Sequence, residues 1–254
     1  MDKQKQLAEI RNRLIRLEDT ILFALIERAQ FLCNGIIYGS ETAGLKTGGR
    51  CLLDYILYET EKAHARVGRY IGQIEVPYFM DLPGPALFIP KPDEFPLRAN
   101  TVNLNGRLRT VYVDEMLPFI CAPGQDGHYW ESCVADVNCL QALSRRIHYG
   151  KVVAEIKYLA HKEMFDQLIA ASDVQAVMEQ ITDREVEKKV IDRIRIKANH
   201  YGQDPMHASP AEQGKIDTEA AVYAYHRWVI PLTKEVEVQY LFQCNEEIGS
   251  RADL

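Results

Sequence analysis

Apolar positions recur at helical spacing along most of this chain. In QLAEIRNRLIRLEDTILFALIERAQF (6–31), Leu7, Ile10, Leu14, Leu17 and Ile21 follow one another by steps of three and four, which predicts one long amphipathic helix. The glycine-rich stretch Cys33–Arg50 predicts a loop, and CLLDYILYETEKAHARVGRY (51–70) a second helix. Six prolines between Gly72 and Asn105 break regular structure, but the Phe, Leu and Ile among them predict an excursion packed onto the body. RLRTVYVDEMLPFI (107–120) reads as a shorter helix and APGQDGHYWE (122–131) as a turn-rich loop. A long helix is expected from about Ser132 through Lys157, then short helices over 163–172 and 173–181 and a charged one over 183–202. After a polar loop over 202–217, the last helix runs from about Thr218 toward Ile248. Its EVEVQY (235–240) alternates like a strand. The longer run Trp228, Leu232, Val236, Gln239 keeps a helical step, with Pro231 as a kink, so a helix is predicted there too. The expectation is a single all-α domain over residues 1–254.

One stripe breaks the apolar pattern. Arg146, Gly150, Val153 and Lys157 are four, three and four apart, so two cations share a face with two small or apolar residues. Their Cα atoms would lie roughly 16 Å apart along a helix. Leaning inward, the heads could hold a small molecule, with Gly150 leaving the gap unblocked. Alternatively, both cations snorkel to the surface. Other charges carry the same ambiguity. Arg11 follows Ile10 on the first helix. Asp183 and Glu187 share a face, as do Thr233 and Glu237 with Lys234 beside them. Each has a plain structural reading: Arg11 as a solvated charge, Asp183 as an N-cap, Glu187 as a lysine partner, Lys234 and Glu237 as a surface pair.

Composition narrows the classes. The net charge of −6 argues against nucleic acid or an anionic membrane as a partner, so any anion site must be a local concentration of cations. Six cysteines without a CxxC pair read as reduced thiols of a cytoplasmic protein. The charged N-terminal segment lacks the apolar core of a secretory signal, and no run is long enough to span a membrane. There is no phosphate loop, HExxH, metal-ligand cluster or GxSxG. His148 lies one turn from Ser144, a weak catalytic signal. An enzyme of this composition is expected to work by positioning and electrostatics, with no metal or cofactor.

LQALSRRIHYGKVVAEIKY (140–158) and VIPLTKEVEVQYL (229–241) resemble the chorismate mutases of fungi and plants. IRNRLIRLEDTILFALIERAQF (10–31), AHARVGRYIG (63–72) and the proline-rich segment extend the resemblance over most of the chain. It implies a homodimeric all-helical isomerase that converts chorismate to prephenate, a pericyclic rearrangement of a dicarboxylate. By resemblance, Arg11 and Arg146 hold the carboxylates, and Lys157 donates to the ether oxygen. Glu237 faces the same oxygen as a neutral acid, because a carboxylate there would repel it. Glu187 accepts from the ring hydroxyl, and Thr233 and Lys234 complete the carboxylate end. Asp183 stands where the fungal pattern has Asn, an unfavourable charge beside a dianion. Regulated members bind aromatic amino acids at a separate site, which Gly68 and Arg69 match. Trp130 and Glu131 replace a small Gly-Ser pair there, so weak or absent regulation is expected. Two rival readings are a non-catalytic binding protein that kept the fold and a helical enzyme acting on a different small dianion.

Overall fold

The computed structural model describes residues 3–39, 48–87, 95–203 and 215–252, with side chains from residue 9 to 244 of those ranges. The first helix, α1, runs Lys3–Arg28, three residues short of the expected end. Its stop has a physical cause. The fully buried Arg28 guanidinium donates to the carbonyls of Phe31, Leu32 and Cys33 at 3.0–3.2 Å, and to Asp136 Oδ1 at 2.6 Å. The chain therefore leaves the helix by wrapping around its own last cation. Tyr38 and Tyr112 also donate to Asp136, so this buried pair has hydrogen-bond partners on both sides.

The second helix, α2 (Leu52–Arg66), ends four residues earlier than its apolar pattern suggested. Gly68 adopts φ +77, and Gly68 N–H and Arg69 N–H donate to the carbonyls of Ala65 and His64. Those two bonds form a Schellman motif, which requires a left-handed residue at this position. A Cβ on Gly68 would also meet the Ile71 side chain at 2.9 Å.

The proline-containing excursion lies against the body over its described parts. Glu61, buried in α2, accepts the backbone N–H groups of Tyr78 and Phe79 at 2.9–3.1 Å. Tyr78 donates to the Leu140 carbonyl, and Arg98 pairs with Glu155 at 2.9 Å. Side chains thus satisfy a segment that prolines bar from regular pairing.

Next come α3 (Asn105–Val111), a π turn over Tyr112–Met116, and α4 (Leu117–Ile120). The expected long helix is two near-continuous pieces, α5 (Tyr129–His148) and α6 (Gly150–Ala160), interrupted at Tyr149. Helices α7 (Lys162–Ala170), α8 (Val174–Ile181) and α9 (Arg184–Tyr201) follow, the last two capped by Asp173 and Asp183. The chain closes with α10 (Thr218–Ala224), a π turn over Tyr225–Val229, and α11 (Ile230–Ala252). EVEVQY lies inside α11, and no strand occurs among the described residues.

Both π turns precede a proline by two residues, Pro118 in one case and Pro231 in the other. A helical proline collides with the carbonyl four residues back, here that of Asp114 or Arg227. In each case the carbonyl lies within the widened turn, whose i→i−5 bonds (Leu117 N–H to Tyr112, Ile230 N–H to Tyr225) relax the collision.

The main core is a cluster of buried apolar side chains drawn from α1 through α11, and a smaller one joins Leu17, Ile74, Tyr149 and Val152. Helix α5 runs through the middle of the main core against α1, and α6 packs on α11. His148 is fully buried; its Nε2 accepts the Leu104 N–H at 3.0 Å and its Nδ1 donates to the Ser144 carbonyl at 2.8 Å. Burial lowers its pKa to about 4, so it is a neutral structural imidazole. None of the six cysteines forms a disulfide. No described helix is long and apolar enough to cross a membrane.

Candidate active site

Two adjoining lobes of one cavity open between α1, α5–α6, α9 and α11. The larger, of about 420 Å³, is lined by Arg11, Arg146 and Lys157. The smaller, of about 120 Å³, is lined by Arg146, Lys157, Asp183, Glu187, Thr233, Lys234 and Glu237. Leu14, Arg146, Val153, Lys157, Val186 and Val190 line both lobes. The fold therefore brings to one cavity all eight residues that the sequence reading assigned to catalysis and substrate binding.

Each position has a local cause. Arg146 sits on the last turn of α5 and Lys157 three turns on, in α6. Arg146 is only 7% exposed, so it does not snorkel. Its Nη1 reaches Thr233 Oγ1 at 3.5 Å, and its buried Nε has no acceptor. Among the described residues no carboxylate pairs with it. Arg11 stands at the cavity's rim, exposed but lining it.

Gly150 does not leave a gap, as the stripe alone suggested. A Cβ there would meet the Thr233 carbonyl oxygen at 3.0 Å, Thr233 Cγ2 at 3.1 Å and Glu237 Cγ at 3.3 Å. The missing side chain lets α11 approach α6, and that approach seats Glu237 beside Lys157. The Lys157 ammonium donates to Glu237 Oε2 at 3.1 Å and to the Ile181 carbonyl. Glu237 is 5% exposed. Burial raises its pKa, and the opposing pull of Lys157, Arg146 and Lys234 does not cancel that rise.

Lys234 pairs with Glu187 at 3.0 Å. Asp183 is exposed, and its Oδ1 accepts the N–H groups of Glu185 and Val186, so it caps α9 while lining the smaller lobe. Gly68 and Arg69 lie outside this cavity. Arg69 donates to Glu75 at 2.6 Å and to Gln141.

Three charged lining residues were missed. Glu18 is 1% exposed and takes a bidentate bond from Arg193, both contacts at 2.6 Å, and Lys189 joins them on the wall. A signal existed: Arg11, Leu14 and Glu18 are three and four apart on α1, and Lys189 and Arg193 four apart on α9. Six cations (Arg11, Arg146, Lys157, Lys189, Arg193, Lys234) and four carboxyl groups (Glu18, Asp183, Glu187, Glu237) line the two lobes. An excess of cations in an acidic protein, around a buried guanidinium with no carboxylate partner, defines a helical protein with an internal site for a small anion.

The comparisons with known proteins give that class a family. The family model described as chorismate mutase type II matches residues 131–238. The chorismate mutase of Schizosaccharomyces pombe is 42% identical, covering 95% of this chain and 97% of its own. That of Emericella nidulans is 45% identical, with 95% and 93% covered. Among solved structures, the Candida albicans chorismate mutase in complex with L-Trp has a TM-score of 0.86 at 37% identity, covering 94% of this chain and 92% of its own. The chloroplast enzyme of Zea mays has a TM-score of 0.84 at 38% identity, covering 97% and 98%. The chain belongs to the chorismate mutase family, and it is an isomerase.

Proposed function

We propose that the two-lobed cavity is the active site in which chorismate rearranges to prephenate. One observation carries the assignment. The Arg146 guanidinium is buried, lacks a carboxylate partner and keeps Nε unsatisfied. A buried charge left this way is costly unless an anion completes it.

Two carboxylates and a reacting ether define what the site must do. Arg11 and Arg146 come from separate helices and grip the carboxylates, where a planar bidentate guanidinium fits best. Thr233 and Lys234 finish that end, and Glu187 accepts from the ring hydroxyl. The clamp holds the enolpyruvyl side chain over the ring, so the barrier from orientation is met on binding. The ether oxygen gains negative charge as its C–O bond breaks. Lys157 donates to it, and Glu237, whose protonated form burial favours, donates beside it. Donors fixed where charge develops favour the transition state over the substrate. Asp183 contributes its cap to α9 and an unhelpful charge to the pocket. No cofactor or metal enters this scheme. The protein acts as a homodimer in the cytoplasm, a location that six cysteines without a disulfide suit.

The test is loss of chorismate absorbance with appearance of prephenate, in purified protein and in the Arg146→Lys variant. A point charge cannot reproduce the guanidinium fork, so kcat/KM should fall at least tenfold, about 1.4 kcal/mol or more. An Arg146→Lys enzyme as active as the wild type would place the chemistry elsewhere.

A further inference from the structure

A second cavity, of about 390 Å³, lies on the opposite face of α1. The same helices line both cavities with alternate residues. Arg146 faces the active-site cavity and Arg145 this one; Leu14 and Glu18 line the first, Arg13 and Leu17 the second. Arg13 and Arg16 are three apart and so share a face of α1. Three guanidiniums, Arg13, Arg16 and Arg145, line this space against one carboxylate, Glu75. Glu75 is already committed, to Arg69 at 2.6 Å and to Arg145 at 3.3 Å.

The Arg13 guanidinium lies 5.9 Å from the centroid of the Tyr149 ring. Among the described residues no carboxylate pairs with Arg13 or Arg16. This surplus of cations stands in a chain of net charge −6. The floor is apolar: Leu17, Ile74 and the Tyr149 ring are all buried.

We propose that this cavity binds a small organic dicarboxylate. Two guanidiniums without a carboxylate partner on one helix face suit two carboxylates, each able to accept a paired hydrogen bond. The buried floor takes up a hydrocarbon body, which a bare inorganic anion lacks. The volume lies within the range of small-molecule sites.

Calorimetric titration of the full chain with phthalate, an aromatic dicarboxylate, tests this, with inorganic phosphate titrated separately. Phthalate binds, phosphate binds more weakly, and the Arg13→Gln/Arg16→Gln double variant weakens the phthalate event at least about tenfold. That loss is expected whether or not a second event, sensitive to Arg11→Gln, accompanies it. Unchanged melting temperature and turnover in the double variant show that the loss is local. The proposal is overturned by absence of phthalate binding, by wild-type affinity in the double variant, or by phosphate binding as tightly as phthalate.

Discussion

Gly150 is a point of close approach between α6 and α11, and Gly150→Ala tests whether that seam positions the site. The added Cβ would sit 3.0 Å from a backbone oxygen and 3.1 Å from a methyl carbon, closer than van der Waals contact permits. The helices must part by a few tenths of an ångström. Overpacking of this kind costs about 1–3 kcal/mol, while exchanging Gly for Ala in a helix returns roughly 0.8–1 kcal/mol. Gly106→Ala in α3 isolates the second effect, because nothing lies within 4 Å of its added Cβ. The two variants should therefore differ by about 1–3 kcal/mol, or several degrees in melting temperature at roughly 2–4 °C per kcal/mol. Activity should follow the same split. Lys157 and Glu237 meet across the seam at 3.1 Å, and a misplacement of 1 Å costs about a hundredfold in rate. A few tenths of an ångström then corresponds to roughly a two- to tenfold loss of kcat in Gly150→Ala, with Gly106→Ala unaffected. Equal melting temperatures for the two variants, with unchanged kcat in both, would refute the seam as the device that positions Glu237.

Four further outcomes are expected. With the Glu237 pKa raised by burial, its helpful protonated form is lost as pH rises through that pKa, so turnover should decline toward alkaline pH. Glu237→Gln, which cannot ionise, should flatten that decline in a pH–rate profile; an unaltered profile sinks the assignment. Asp183→Asn keeps the α9 cap but removes a charge beside a dianion, so KM at neutral pH should fall several-fold at constant melting temperature, and an equal or higher KM counts against it. His148 has a folded pKa of about 4 against an ordinary 6.5, so the unfolded chain takes up its proton first, and stability should drop by up to about 3 kcal/mol as pH falls from 6.5 toward 4. Urea unfolding of wild type and His148→Asn across that range should show the slope shrinking in the variant. Finally, Trp130 is 66% exposed at the start of α5, where the family resemblance implies a small residue in regulated members, so added tyrosine should leave the initial rate unchanged; strong inhibition contradicts that.

Periodicity alone determined much of this protein. The apolar steps of α1, α9 and α11 are legible because a helix burying one face must repeat every three to four residues, whatever it packs against. The same rule overrode the short alternation of EVEVQY. Helix ends were less legible. α1 stops at Arg28 because its guanidinium finds Asp136 on a helix more than a hundred residues away, and no local pattern announces such a partner.

The site divides in the same way. The stripe Arg146–Lys157 could be seen in the sequence, yet its meaning could not. Exposed or buried, paired or free, these charges look alike until a neighbouring helix is in place, and the resemblance to known families supplied the roles that spacing left open. Gly150 makes the point most sharply. By itself a glycine between two cations reads as a vacancy. In the fold it is where α11 packs against α6, with Glu237 beside Lys157. A sequence fixes which face a residue takes on its own helix; only packing decides what that face meets, because the contact belongs to two segments whose separation along the chain carries no information about their distance in space.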